Sequence, residues 1–160
     1  MSDKTKTAIF VDVQNIYYTT RDTFARPLNY RKLWQQLTLD HDLVIANAYA
    51  IAPNNDQQHK FQKALKYIGF EVKLKPYIQR SDGSAKGDWD VGITIDVMDK
   101  ARDVDKVILL SGDGDFDLLV EKIVRDYHVF VEVISVDALT AKSLIDACSK
   151  HTPITQGLLQ

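Results

Sequence analysis

Val107-Ile108-Leu109-Leu110-Ser111-Gly112-Asp113-Gly114-Asp115-Phe116-Asp117 sets a short apolar run directly before three alternating carboxylates. The run, from Lys106 to Leu110, reads as a buried strand. The polar, glycine-containing stretch after it reads as the turn into a helix from Asp115 to about Asp126. Such a junction is the mouth of an α/β sheet, where open sheets of this class place their ligands. Carboxylates this close repel: at about 4 Å each charged pair costs roughly 1 kcal/mol in water, and about 4 at an effective dielectric of 20. Either they point apart into solvent or they hold a divalent cation.

Working outward, strand and helix patterns alternate. Thr7–Val13 reads as a buried strand, Tyr30–Leu37 as a helix and Leu43–Ala52 as a second strand. Asp56–Ile68 is predicted to be a helix, with Phe61, Ala64, Leu65 and Ile68 on one face. Gly69 ends it, and Phe70–Tyr77 makes a third strand. Ile78–Gly87 reads as a loop. A helix follows from about Trp89 to Ala101, then the Lys106–Leu110 strand, a strand over Val129–Val136 and a helix over Thr140–Cys148. Strands separated by helices imply right-handed βαβ units and a parallel sheet covered on both faces. The 160 residues, 45% hydrophobic and without repeats or linker, read as one α/β domain.

The charge is unusual in kind and place. The net charge is -2, and the chain has 19 Asp but only 3 Glu, ten of these 22 between Asp82 and Asp117. That segment carries four basic residues, which leaves the rest of the chain mildly positive around a negative centre. Such a margin can steer a polyanion while a metal screens the acidic focus. Cys148 is the sole cysteine, which excludes an intrachain disulfide and a cysteine zinc cluster. No apolar run approaches a membrane span, and Met1–Lys6 lacks a signal-peptide core, so a cytoplasmic protein with no membrane partner is expected.

Four places carry candidate chemistry. In Phe10-Val11-Asp12-Val13-Gln14-Asn15, Asp12 interrupts an apolar strand near its end and Asn15 follows at the turn. In Lys86-Gly87-Asp88-Trp89-Asp90, Asp88 suits a helix cap. Asp90 falls inside the apolar arc of Val91, Ile93, Ile95, Val97, Met98 and Ala101, where a carboxylate needs a partner or a metal. Asp96 lies at the edge of that arc, while Asp99 and Asp103 fall on the opposite, solvated side. Of Asp113, Asp115 and Asp117, helix capping accounts for one but not all three. A calcium EF-hand loop is excluded by Leu118 and Val124 at its glycine and glutamate positions. A dinucleotide fingerprint is excluded by Asp117 in place of its third glycine. What survives is a carboxylate site for Mg²⁺ or Mn²⁺. The fourth place is basic and aromatic: Tyr17, Tyr18, Arg21, Lys60, Lys63, Lys66, Arg80 and Lys86. Tyrosines can stack on bases, and Lys or Arg can meet phosphates. His41, His59, His128 and His151 show no ligand spacing, so a metal-activated water is the better mechanism than paired histidines.

These three acidic motifs, with Asp96 and with Leu110-Ser111 leading into the last, resemble those of the NYN domain, and in particular its LabA-like branch within the PIN-like nuclease superfamily. The resemblance covers nearly the whole chain. It implies a Rossmann-like, three-layer α/β/α sandwich with a central parallel sheet, and a metal-dependent ribonuclease-type site. Asp12, Asp90, Asp113 and Asp115 would form the acidic cluster. Asn15 would position a ligand or phosphate, Lys86 would approach the RNA backbone, and Asp96 and Ser111 would support. Asp117 extends beyond the usual motif. Because the chain ends shortly after these motifs, it is expected to lack the C-terminal extension of many relatives. The expected activity is hydrolysis of RNA phosphodiesters with Mg²⁺ or Mn²⁺, with RNA as partner and a homodimer left open. The alternatives are a non-catalytic RNA- or protein-binding regulatory module with a vestigial acidic site, and phosphoryl transfer on a small molecule. The last is disfavoured, because Gln14 stands where a second acid after Asp12 would be needed.

Overall fold

The computed structural model describes residues 4–75, 78–79, 85–86 and 88–160. Six parallel strands form the central sheet: β1 (Thr5–Asp12), β2 (His41–Ile51), β3 (Glu71–Lys75), β6 (Lys106–Leu110), β7 (Phe130–Ser135) and β8 (Lys150–Pro153). Their order is β3-β2-β1-β6-β7-β8. Helices α1 (Val13–Phe24), α2 (Tyr30–Thr38) and α3 (Asp56–Ile68) cover one face. Helices α4 (Asp90–Lys100), α5 (Asp117–Asp126) and α6 (Lys142–Ala147) cover the other. The expected three-layer sandwich is present.

The pairing of β1 explains its composition. It lies between β2 and β6, with Val11 beside Ala48 on one side and Leu110 on the other. From Ala8 to Val11 every side chain is fully buried, because both faces of a central parallel strand meet helices. From β1 the chain winds outward through β2 and β3, then returns to β6 and winds the other way. The strand order therefore reverses between β1 and β6, and the crevice at their C-terminal ends is where such sheets bind ligands.

Four stretches of the chain differ from the sequence expectation. Helix α1 was not expected over residues 13–24, since Val13, Ile16, Thr19, Thr20 and the two tyrosines are poor helix formers. Packing overrides propensity there: Val13, Ile16, Thr19 and Thr20 are buried against the sheet. Strand β8 is a short polar edge strand ending at Pro153, a position that an edge tolerates. Within the expected loop, β4 (Ile78–Gln79) and β5 (Ala85–Lys86) form a small antiparallel pair. The last helix is shorter than Thr140–Cys148, with a 3₁₀ turn over Asp137–Leu139 before it.

Two helix faces are also corrected. In α3, Gln62 is buried and donates to the Ile51 carbonyl at 2.9 Å, whereas Ala64 is exposed. In α4 the packed stripe is narrower than the arc expected: Val91 and Ile95 are 70% and 61% exposed, and Ile93, Val97 and Ala101 make the contact. Asp90, three residues before Ile93 and seven before Val97, still heads that stripe.

Candidate functional site

Asp12 closes β1 and caps α1. Its Oδ1 accepts from the Asn15 amide at 3.3 Å, and its Oδ2 accepts from the Ser111 hydroxyl at 3.1 Å. Asn15 in turn uses Oδ1 to accept from the Gly112 amide at 2.9 Å, which ties α1 to the loop after β6. The Ser111 Oγ accepts from the Asp113 amide at 3.2 Å, and Asp113 Oδ1 accepts from the Asp115 amide at 2.9 Å. The two loops at the switch point are thus stitched through side-chain oxygens. Only short side chains, Asp, Asn and Ser, can make these bends at such close range.

Asp90, at the start of α4, is brought to the same place. Asp12, Asp90 and Asp113 each offer a carboxylate oxygen, and the three oxygens lie within 4.8 Å of one another. These residues stand 78 and 23 positions apart in sequence. Among the described residues no Lys, Arg or His forms an ion pair with any of them. Burial pushes the Asp12 carboxyl up to about 6, held back by the Asn15 and Ser111 hydrogen bonds and raised further by the charges of Asp113 and Asp88. Asp90 is pushed up to about 7, first by burial, then by the Asp113 charge, a hydrogen bond with Asp115 and the charges of Asp88 and Asp12. Asp115 itself is exposed and sits at the rim, in contact with Asp90.

Other sequence candidates lie elsewhere. Asp117, the first residue of α5, uses Oδ1 to accept from the Leu118 amide at 2.6 Å, one of the amides that the helix start leaves without a backbone partner. Asp96 is not in the cluster. Its Oδ2 accepts from the Tyr49 hydroxyl at 2.7 Å and pairs with Lys73 at 2.9 Å. Burial would raise the Asp96 carboxyl, but these two bonds outweigh it and hold it low. Asp99 and Asp103 are exposed, as their helix positions predict. Of the basic set, Arg80 and the Lys86 side chain lie outside the described residues.

The assembly around Asp96 holds the start of α4, and sequence reasoning missed it. Trp89, immediately before Asp90, donates from Nε1 to the Ala50 carbonyl at 2.8 Å. Its ring meets Tyr49 edge-on at 5.3 Å between centroids, and Lys75 Nζ lies over it at 4.7 Å from the ring centre. Gly92 makes room for the indole, since a Cβ there would stand 2.5 Å from Trp89 Cε3. A glycine inside a helix, three residues after a tryptophan, was the signal available in the sequence.

A second buttress supports the Gly112 loop. The Gly112 carbonyl accepts from the Ala141 amide at 3.0 Å. Neighbouring Thr140 shares a 2.6 Å hydrogen bond with Ser135, whose Oγ is 2.9 Å from His151 Nε2. Asp137 lies 3.7 Å from the other ring nitrogen of His151. The residue types match a nucleophile triad, yet Ser135 is 1% exposed and cannot meet a substrate. Its role is structural.

Carboxylate oxygens converging without a cationic side chain are the donor set of a hard divalent cation, so Asp12, Asp90 and Asp113 fit such an ion. Comparison with known proteins agrees with the fold around them. The chain is 28% identical over 154 residues to the low amplitude and bright protein LabA of Synechococcus elongatus, covering 90% of this chain and 81% of LabA. A crystal structure of a protein of unknown function from Vibrio parahaemolyticus shares 52% identity and a TM-score of 0.93, covering 100% of this chain and 99% of that one. The NYN domain family matches residues 6–155, a span that contains every residue of the carboxylate cluster and all six strands of the sheet but the first residue of β1. The chain belongs to the NYN domain family.

Proposed function

We propose that this protein is a metal-dependent ribonuclease-type hydrolase that cleaves RNA phosphodiesters, with Mg²⁺ or Mn²⁺ held by Asp12, Asp90 and Asp113. The observation that carries this reading is the convergence of three carboxylate oxygens within 4.8 Å at the switch point of an NYN-family sheet. A bound divalent cation supplies an activated water at neutral pH and neutralises charge on the scissile phosphate.

The chain's own residues prepare the site. Ser111 and Asn15 hold Asp12 and the Gly112 loop in place before any ligand arrives, so little reorganisation is left for binding. Asn15 has its oxygen committed to Gly112, and its Nδ2 has no partner among the described residues, which suits it to meet a phosphate oxygen. Asp115 at the rim, beside Asp90, completes the acidic set. Lys86, in β5 ahead of α4, is the proposed contact to the RNA backbone.

The test is cleavage by the full chain of labelled single-stranded RNA, the matching DNA and a chromogenic phosphate ester, each with Mn²⁺, Mg²⁺ or chelator. RNA cleavage that needs the metal and falls by orders of magnitude in Asp113→Asn is the expected result. Metal binding without cleavage of any substrate would overturn the enzymatic reading and leave a non-catalytic binding module.

A further inference from the structure

Helix α1 starts at the carboxylate site and turns an unusual surface outward. Its buried side is Val13, Ile16, Thr19 and Thr20, while Tyr17 at the edge of that side is 55% exposed and Tyr18, facing away from it, 44% exposed. Aromatic rings left in water on neighbouring residues of a helix contribute little to folding, and exposed apolar surface rimmed by polar groups marks a place of contact. The two rings meet edge to face, 5.4 Å between centroids at 68°. Arg21, one turn on, lies 4.8 Å from the Tyr18 ring and 5.6 Å from that of Tyr17, and Asp22 holds its guanidinium at 3.1 Å. The rings are therefore fixed in orientation while much of their surface stays open. Their position is also fixed. Asp12 caps α1 and Asn15 bonds Gly112, so the helix cannot rotate relative to the carboxylates. At a rise of about 1.5 Å per residue, Tyr17 and Tyr18 lie about 7–9 Å along the axis from Asp12, a span that a flanking nucleotide covers.

We propose that Tyr17 and Tyr18 form a base-stacking subsite, with Arg21 beside it for a backbone phosphate, that selects single-stranded nucleic acid for the acidic site. This rests on the reading of the chain as acting on RNA, and adds strand selectivity to it. Rings of this kind stack on any base, because every base has a π-face, and the guanidinium meets phosphate. A base in a duplex is already stacked inside its helix and cannot reach them without being unpaired. The subsite therefore favours a single strand over a duplex of the same length and charge, and purines over pyrimidines through stacking strength.

The experiment is fluorescence anisotropy of the full chain with labelled oligoadenylate, oligouridylate and a blunt RNA duplex, in chelator so that nothing is cut. The wild type should bind the single strands more tightly than the duplex. Tyr17→Ala/Tyr18→Ala should weaken single-strand binding by about tenfold or more, while duplex binding changes little. Tyr17→Phe/Tyr18→Phe should retain wild-type affinity, since stacking needs the ring and not the hydroxyl. The Mn²⁺-dependent rise in melting temperature should be the same in all three proteins, which shows the fold and the carboxylates intact. Unchanged single-strand affinity in the double alanine variant, or equal losses for single strand and duplex, would overturn the subsite even if RNA is cleaved. The expected pattern in a wild type that cleaves no RNA would sustain the subsite and overturn the nuclease reading instead.

Discussion

The two ends of the central sheet bury carboxylates to the same depth and treat them in opposite ways. At the C-terminal end Asp12 is 8% exposed, and at the N-terminal end Glu132 of β7 is 6% exposed. Burial raises both. For Glu132 that effect is outweighed, because Lys106 pairs with it at 2.7 Å and the Thr152 hydroxyl donates to it at 2.5 Å, so its carboxyl is held below the usual range. His41 adds to this end, with Nε2 2.8 Å from Lys106 Nζ. For Asp12 two hydrogen bonds are not enough, the neighbouring charges are Asp113 and Asp88, and the carboxyl stays raised. A buried charge that exists for the fold is compensated by the chain itself. The described residues around Asp12 and Asp90 supply no such compensation, as expected where a cation from solution is to provide it.

The comparison breaks first at its well-compensated end. Lys106→Met keeps the aliphatic stem and leaves Glu132 buried without its cation. It should cost about 3–5 kcal/mol in urea denaturation, whereas removing one charge from the other end by Asp113→Asn in chelator should cost nothing or stabilise. A loss below about 1 kcal/mol for Lys106→Met would mean that Glu132 is not held by this pair.

The ends should also differ in the sign of their pH dependence. Asp12 and Asp90 are raised in the folded state, so between about pH 4 and 7 the folded chain binds more protons than the unfolded one. Stability in chelator should therefore fall as pH rises through this window, by up to about 3 kcal/mol from Asp12. Glu132 is lowered, so its contribution is present above the unfolded value and is lost as pH falls below about 4. Urea melts across this range should show the fall toward neutral pH, and Asp113→Asn should flatten it. With Mn²⁺ present the slope should reverse, since the ligands must lose their protons to bind.

The smallest effect is a control on α4. Asp99 has a side chain 69% exposed and pairs only loosely with Lys100 at 3.4 Å. Asp99→Asn should change stability by no more than about 0.5 kcal/mol and leave metal binding untouched. A larger effect would mean that acidity anywhere on this helix matters, and not the placement of Asp90.

What could be read in advance follows the range of the interactions. Runs such as Val107–Leu110 and Ala8–Val11 announce central strands, because burial on both faces leaves no polar position. Asp12, Asp90 and Asp113 were legible because a carboxylate at the end of an apolar strand, or on the packed stripe of a helix, conflicts with its surroundings in sequence alone. Helix α1 was not legible, since its Thr, Tyr and Val residues argue locally against a helix that the sheet imposes. Nor was the separate task of Asp96, whose partners Tyr49 and Lys73 come from β2 and β3. The role of Trp89 comes from Ala50 and Tyr49 of β2, which stand 39 and 40 residues before it in sequence.

The central claim is that the crowded carboxylates lack only a cation, and paired thermal melts of the wild type and Asp113→Asn, in chelator and in Mn²⁺, test it most directly. In chelator the variant should melt no lower than the wild type, because the swap keeps the shape and relieves repulsion. In Mn²⁺ at a hundredfold excess over its dissociation constant the wild type should gain about 2.7 kcal/mol, and the variant much less. A wild type whose melting temperature does not move at millimolar Mn²⁺, or a variant already strongly destabilised in chelator, would contradict the account.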